Sequence, residues 1–267
     1  MGAPVMVDRG GFSIAAYVDG QGEGAPWIIL SNSLGAAAMM WEPQLPLLGK
    51  RYRVLRYDTR GHGASGAPPE PYSFSDLTAD VLALMDRFGI GKASYMGLSL
   101  GGMTGLGLAI HHGQRFDRMV ICDARAASPE AFRSMWDERL AAVAKGGLAA
   151  VVNGTMERWF VEAWRKAHSE MLKRFENAFL ATSLEGFRGC VAAIKGLDYA
   201  KDLGRISIPV LYVVGSEDIG APPEAMRAMA AATPGSAFAE VPKAAHLPNV
   251  DNTEAFHAAI AAFLGLP

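Results

Sequence analysis

Short apolar runs alternate along this chain with longer amphipathic stretches. Trp27-Ile28-Ile29-Leu30, Arg53-Val54-Leu55-Arg56-Tyr57 and Ala93-Ser94-Tyr95-Met96 form one set, and Arg118-Met119-Val120-Ile121-Cys122, Pro209 to Val214 and Ala237 to Val241 form another. Compact runs of this kind predict strands rather than helices. Ser75 to Arg87 carries Leu77, Val81, Leu84 and Phe88 at helical spacing, and Leu100 to His111 reads as a glycine-rich helix. Pro222 to Ala232 opens with prolines, as helix starts often do. Thr253 to Leu264 offers Thr253 as an N-cap and sets Phe256, Ile260 and Phe263 on one face. Strand–helix alternation predicts an α/β protein with a mainly parallel sheet and helices on both faces.

The rhythm breaks between about Pro129 and Leu197, which has no strand signal and is dense in Met, Trp, Phe and Arg. This stretch is expected to be a helical lid, residues 129–197, inserted into a core domain made of residues 1–128 and 198–267. An insertion at the strand C-termini would cover the ligand crevice of an open α/β sheet.

Composition narrows the partners. Of 267 residues 50% are hydrophobic and 19% are charged, enough to bury a full core. Net charge is −2 with no basic block, so a nucleic-acid partner is not expected. Cys122 and Cys190 form no metal-ligand pair and read as small buried residues. Met1-Gly2-Ala3-Pro4 lacks the features of a signal peptide, and no apolar stretch approaches the roughly 20 residues that span a bilayer. A soluble cytoplasmic protein with no membrane partner is the expectation, with a homo-oligomer left open.

Gly97-Leu98-Ser99-Leu100-Gly101 fits G-x-S-x-G, preceded by an apolar run and followed by a helix signal. Such a turn projects the serine hydroxyl from the sheet and needs very small residues on both sides. Serine needs a base, and in this arrangement the base comes last in the chain, after the acid. His246 and His257 lie late enough; His257 sits in the last helix and reads as solvated, so His246, in a loop after the last strand, is the expected base. Asp218, just past the strand ending at Val214, is the favoured acid, with adjacent Glu217 and Asp123 as competitors. Backbone N–H groups of Leu34 and Leu100 are the expected oxyanion donors. Arg56 to Gly63 is read as a structural loop walling the site, although it contains Asp58 and His62.

These residues carry a resemblance to the 3-oxoadipate enol-lactonases of the α/β-hydrolase superfamily, running from about Trp27 to Leu264. It rests on Ser31-Asn32-Ser33-Leu34-Gly35, on Leu55 to Ser65, on Gly97 to Gly102 and on Ala245 to Val250. Arg158-Trp159-Phe160 and Gly189 to Ile194 in the lid are also similar. The elbow and the histidine loop belong to many α/β-hydrolases; the Ser31 and Arg56 segments are narrower. Asp123-Ala124-Arg125 departs from the pattern, where the family usually shows small neutral residues, and Ile219-Gly220-Ala221 is also atypical.

The resemblance implies an α/β-hydrolase fold and an acyl-enzyme on Ser99, with a small enol-lactone carrying a carboxylate as substrate, in aromatic-acid catabolism by the β-ketoadipate pathway. No cofactor or metal is implied. A substrate carboxylate needs a cation. The candidates are Arg125 and the lid's Arg133, Arg139, Arg158, Arg165 and Arg188, with Trp136 and Trp159 as apolar walls. Aryl esterase, acyl-homoserine lactonase, C–C bond hydrolase and acyltransferase chemistries remain open, as does a hydrolase-like receptor. Dehalogenases and epoxide hydrolases of this fold use aspartate where Ser99 stands.

Overall fold

The computed structural model describes residues 2–267. Its strands are β1 (Val5–Asp8), β2 (Ser13–Gly20), β3 (Trp27–Ser31), β4 (Arg53–Tyr57), β5 (Ala93–Leu98), β6 (Phe116–Cys122), β7 (Val210–Gly215) and β8 (Ala237–Val241). They form one sheet in the order β1-β2-β4-β3-β5-β6-β7-β8. From β4 to β8 every pairing is parallel, while β1 with β2 and β2 with β4 are antiparallel. β5 and β7 are buried along their whole length, which is why their sequences read as unbroken apolar runs rather than alternating ones.

The six strands expected from the apolar runs all form. The β1–β2 hairpin lies outside the apolar runs that predict the other strands. β1 is short and mostly exposed, so it lacks the apolar run used to recognise the others. Its turn did carry a signal: Gly10 and Gly11 take φ of 74° and 103°, and the Arg9 N–H donates to Phe12 O at 2.8 Å.

The helices before the insertion are α1 (Leu45–Leu48), α2 (Phe74–Arg87) and α3 (Leu100–His112). A capping box fixes the start of α2: the Asp76 N–H donates to Ser73 Oγ while the Ser73 N–H donates to Asp76 Oδ2. Glycines let α3 lie close on the sheet, since a Cβ at Gly105 would stand 2.6 Å from the Tyr95 ring.

Five helices follow β6: α4 (Glu130–Gly146), α5 (Val152–Trp159), α6 (Glu162–Ala167), α7 (Ser169–Leu180) and α8 (Leu184–Lys195). The chain leaves and rejoins the core at a narrow neck, where Ala127 bridges Asp198 and the Ser128 N–H donates to Leu197 O. Packing within the insertion is aromatic, with Trp159 edge-on against Phe160, Phe175 and Phe179. It touches the sheet's loops through glycines: Gly35 lies under the Phe179 ring and Gly61 against Gly186.

After β7 come α9 (Pro223–Ala232), α10 (Pro248–Asp251) and α11 (Thr253–Leu264). The N-cap of α11 is Asn252 rather than Thr253: the Ala255 N–H donates to Asn252 Oδ1, while the Thr253 hydroxyl donates to Asn249 O. Phe256, Ile260 and Leu264 are its buried face, with Phe263 only half-buried. His257 is half-buried beside Gln44 rather than solvated. Among the described residues no helix is long and apolar enough to cross a membrane.

Candidate active site

β5 passes into α3 with Ser99 alone between them. Ser99 takes φ 57° and ψ −114°, a strained conformation for a residue with a side chain. Its flanking glycines are a steric requirement: a Cβ on Gly97 would lie 2.2 Å from Gly101 O, and one on Gly101 2.2 Å from Ser31 O. The strained turn is held by the Ser99 N–H donating to Cys122 O at 2.8 Å on the neighbouring strand.

The loop after β8 brings in His246, whose Nε2 is 2.8 Å from Ser99 Oγ. Its Nδ1 is 2.8 Å from Asp218 Oδ2, in the loop after β7. The network assigns the proton to Nδ1, donated to Asp218, leaving Nε2 to accept from the serine hydroxyl. Asp218 is buried, and burial works against its charge. The His246 ring and the Gly220 and Ala221 amides outweigh that and hold its carboxyl below the usual range. Glu217 is exposed.

Asp123 directly follows β6, and the Cys122–Val213 pairing sets the ends of β6 and β7 side by side. Asp123, Asp218 and His246 therefore bring ligand-type atoms within 4.8 Å of one another. Asp218 takes the hydrogen bond to His246, and Asp123 stands behind it. The 2.8 Å between His246 Nδ1 and Asp218 Oδ2 is a hydrogen-bond distance; two ligands about 2.0 Å from a tetrahedral ion would sit about 3.3 Å apart.

Leu34 lies in the loop after β3, and Ser33, Leu34 and Ser99 line one cavity. That loop is held from behind. Asn32 Nδ2 donates to Tyr57 O at 2.7 Å, Trp41 Nε1 donates to Asn32 Oδ1 at 3.0 Å, and the Gly35 N–H donates to His62 Nε2 at 2.9 Å. The Leu100 amide is at the first turn of α3, where N–H groups have no intrahelical acceptor. The Arg56–Gly63 segment does not line the cavity. His62 props the Leu34 loop, and Asp58 accepts from the Ala38 and Ala64 amides.

The cavity and its solvent-open mouth together hold about 630 Å³ of empty space. Trp136 and Trp159 line it, together with Met103, Phe132, Phe179 and Phe187. Arg125 does not: its Nε donates to Gly220 O at 2.6 Å, and its guanidinium lies 4.4 Å over the Phe132 ring. Arg133 bonds Ser128 O and Glu130, Arg188 pairs with Glu70, and Arg165 is outside the lining.

Arg139 and Arg158 are the arginines of the lining. Sequence left this choice open, although Arg139 stands one helical turn from Trp136 and Arg158 adjoins Trp159. Arg139 Nη2 donates to Thr155 Oγ1 at 2.8 Å, while its buried Nε and the buried Trp136 Nε1 have no acceptor among the described residues. Burial, and after it the charge of Arg158, pull the Arg139 guanidinium down to about 9; burial lowers Arg158 as well. The wall thus presents two buried donors without an acceptor among the described residues, Arg139 Nε and Trp136 Nε1, while the charge of Glu157 acts on Arg158.

The His246 loop is joined to this wall. The His246 N–H donates to Arg158 O at 3.3 Å and the Leu247 N–H to Trp159 O at 3.0 Å. Asp251 Oδ2 accepts from the Ala245 N–H at 2.7 Å and the Val161 N–H at 3.1 Å.

Residues 26–253 match the model of the alpha/beta hydrolase fold family. The chain belongs to that family. This α/β-hydrolase is 35% identical to 3-oxoadipate enol-lactonase 2 of Acinetobacter baylyi over 90% of its own length and 88% of the relative's. It is 31% identical to the putative carbamate hydrolase RutD of Caulobacter sp. strain K31, covering 89% and 90% of the two chains. The crystal structure of the enol-lactonase from Burkholderia xenovorans LB400 superposes with a TM-score of 0.92 at 37% identity, covering 96% of this chain and 97% of that one.

Proposed function

We propose that this hydrolase opens a small enol-lactone bearing a carboxylate, through an acyl-enzyme on Ser99. One observation carries the substrate class: the cavity that holds the Ser99 hydroxyl is walled by Arg158 and by Arg139, whose buried Nε, like the buried Trp136 Nε1, has no hydrogen-bond acceptor among the described residues. Buried cationic donors of this kind call for an anion.

In this reading His246 Nε2 takes the proton as Ser99 Oγ attacks the lactone carbonyl, and Asp218 steadies the resulting imidazolium. The Leu34 and Leu100 amides receive the oxyanion. Collapse breaks the ring C–O bond. The enol oxygen leaves with the proton from His246, and the enol becomes a ketone. Water, deprotonated by His246, then attacks the ester on Ser99 and releases a second carboxylate. The relatives named as enol-lactonases support the lactone, and the relative named as a putative carbamate hydrolase makes carbamates the comparison substrate.

The test is a panel of enol-lactones with and without a carboxylate, alongside aryl esters, acyl-homoserine lactones and carbamates. The expected result is kcat/KM at least about 10-fold higher for the carboxylate-bearing lactone than for its methyl ester, the worth of one charged hydrogen bond. Equal rates for the two, or turnover of carbamates alone, would overturn the substrate assignment.

A further inference from the structure

The acid behind His246 does not stand alone. Asp123 is fully buried at the end of β6. Its Oδ1 accepts from the Gly215 N–H at 2.9 Å, while its Oδ2 is buried with no donor directed at it. Two ionised carboxylates this close in a buried site repel each other strongly, and one shared proton turns the repulsion into a hydrogen bond. The two are unequally supported. Asp218 Oδ2 receives the His246 Nδ1 proton and Asp218 Oδ1 the Gly220 N–H, so Asp218 is the better anion. Asp123 has one amide donor, and it holds φ 45°, a backbone strain tolerated by Asp and Asn that recurs at functional sites.

We infer that Asp123 keeps its proton and donates it to Asp218, a positioning residue that fixes the carboxylate orienting His246. This rests on the Ser99–His246–Asp218 reading but not on the choice of substrate. It also explains how a second acid can stand beside the imidazole without adding a second negative charge. Burial first, and the charge of Asp218 next, push the Asp123 carboxyl well above the ordinary range. The other groups near the pair are the Cys122 thiol, itself raised by burial, and the Arg125 guanidinium, which acts on Asp218.

Infrared difference spectroscopy at pH 7 between the wild type and Asp123→Asn reads the proton without any turnover. The wild type should show the carbonyl stretch of a protonated carboxylic acid, absent from the variant. No such band would overturn the inference while leaving the substrate reading untouched. The pH profile of kcat/KM on a chromogenic acetate ester supplies the functional arm, because its acid limb reports the catalytic base. Asn is neutral and can donate to Asp218, so Asp123→Asn should leave the acid limb in place. Were Asp123 ionised, removing its charge would move that limb down by about one pH unit or more. Asp123→Ala removes the donor and should lower kcat by about tenfold. A folded Asp123→Ala with unchanged kcat and profile would also overturn the inference. If that variant does not fold, the infrared band and Asp123→Asn decide.

Discussion

On the sheet side of the cavity, Ser99, Asp218 and His246 sit on turns that directly follow β5, β7 and β8, and backbone geometry sets where each points. On the opposite side, Arg139 and Arg158 are carried by α4 and α5, long side chains placed by packing between helices. The first wall tolerates almost no change, because the strained turn and its two glycines leave no free volume. The second is built from flexible side chains on a packed aromatic scaffold. In the proposed function, bond-breaking belongs to the first wall and substrate choice to the second, so the chemistry could stay constant while the substrate varies.

If this division is right, substitutions on the two walls must fail differently. Ser99→Ala should lower kcat by about 10⁶-fold with KM and the thermal midpoint nearly unchanged, as for loss of a triad nucleophile. Steady-state rates and a thermal melt check it; a variant retaining appreciable turnover would dissolve the distinction from the chemical side.

Arg139→Met and Arg158→Met should each raise KM for the carboxylate-bearing lactone by about 10- to 100-fold, the worth of a charged hydrogen bond. Turnover of a neutral aryl ester should be unaffected. An equal loss on both substrates would assign these arginines to holding the roof in shape rather than to choosing the ligand.

The smallest effect belongs to the seam between the walls. Burial pushes the Asp251 carboxyl up from 3.8 to about 6, against the two amides that stabilise its charge. Between those values the folded chain binds more protons than the unfolded one. This group's stabilising contribution is therefore complete below about pH 4 and lost as pH rises through about 6. Asp251→Asn lacks that loss, so its melting temperature relative to the wild type should climb from pH 4 to pH 6. A difference that stays flat would show that Asp251 does not titrate there.

Sequence was informative where local backbone carries the information. The elbow glycines and the apolar strands leave short-range patterns, and the order of Ser99, Asp218 and His246 along the chain is read directly from their positions. The β1–β2 hairpin escaped because its first strand is short and exposed, and Asn252 took the cap assigned to Thr253 because either residue type can fill it. The choice among six arginines could not be read, since it depends on which helix faces turn inward. Arg125 was a reasonable candidate from its place after β6, yet its guanidinium is engaged by Gly220 O and Phe132. Asp123 was visible as a rival acid; only the adjacency of β6 and β7 brings it beside Asp218.

The carbonyls of Arg158 and Trp159 receive the amides of His246 and Leu247, so the imidazole hangs from the same stretch of chain that carries half of the cationic wall. Replacing α5 to retarget the enzyme would then reset the height and tilt of the ring above the serine. At this edge, breadth of substrate and speed of turnover are inherited together. An engineer wanting one without the other should work from the α4 side, where Trp136 and Arg139 reach the cavity with no hydrogen bond to the histidine loop among the described residues.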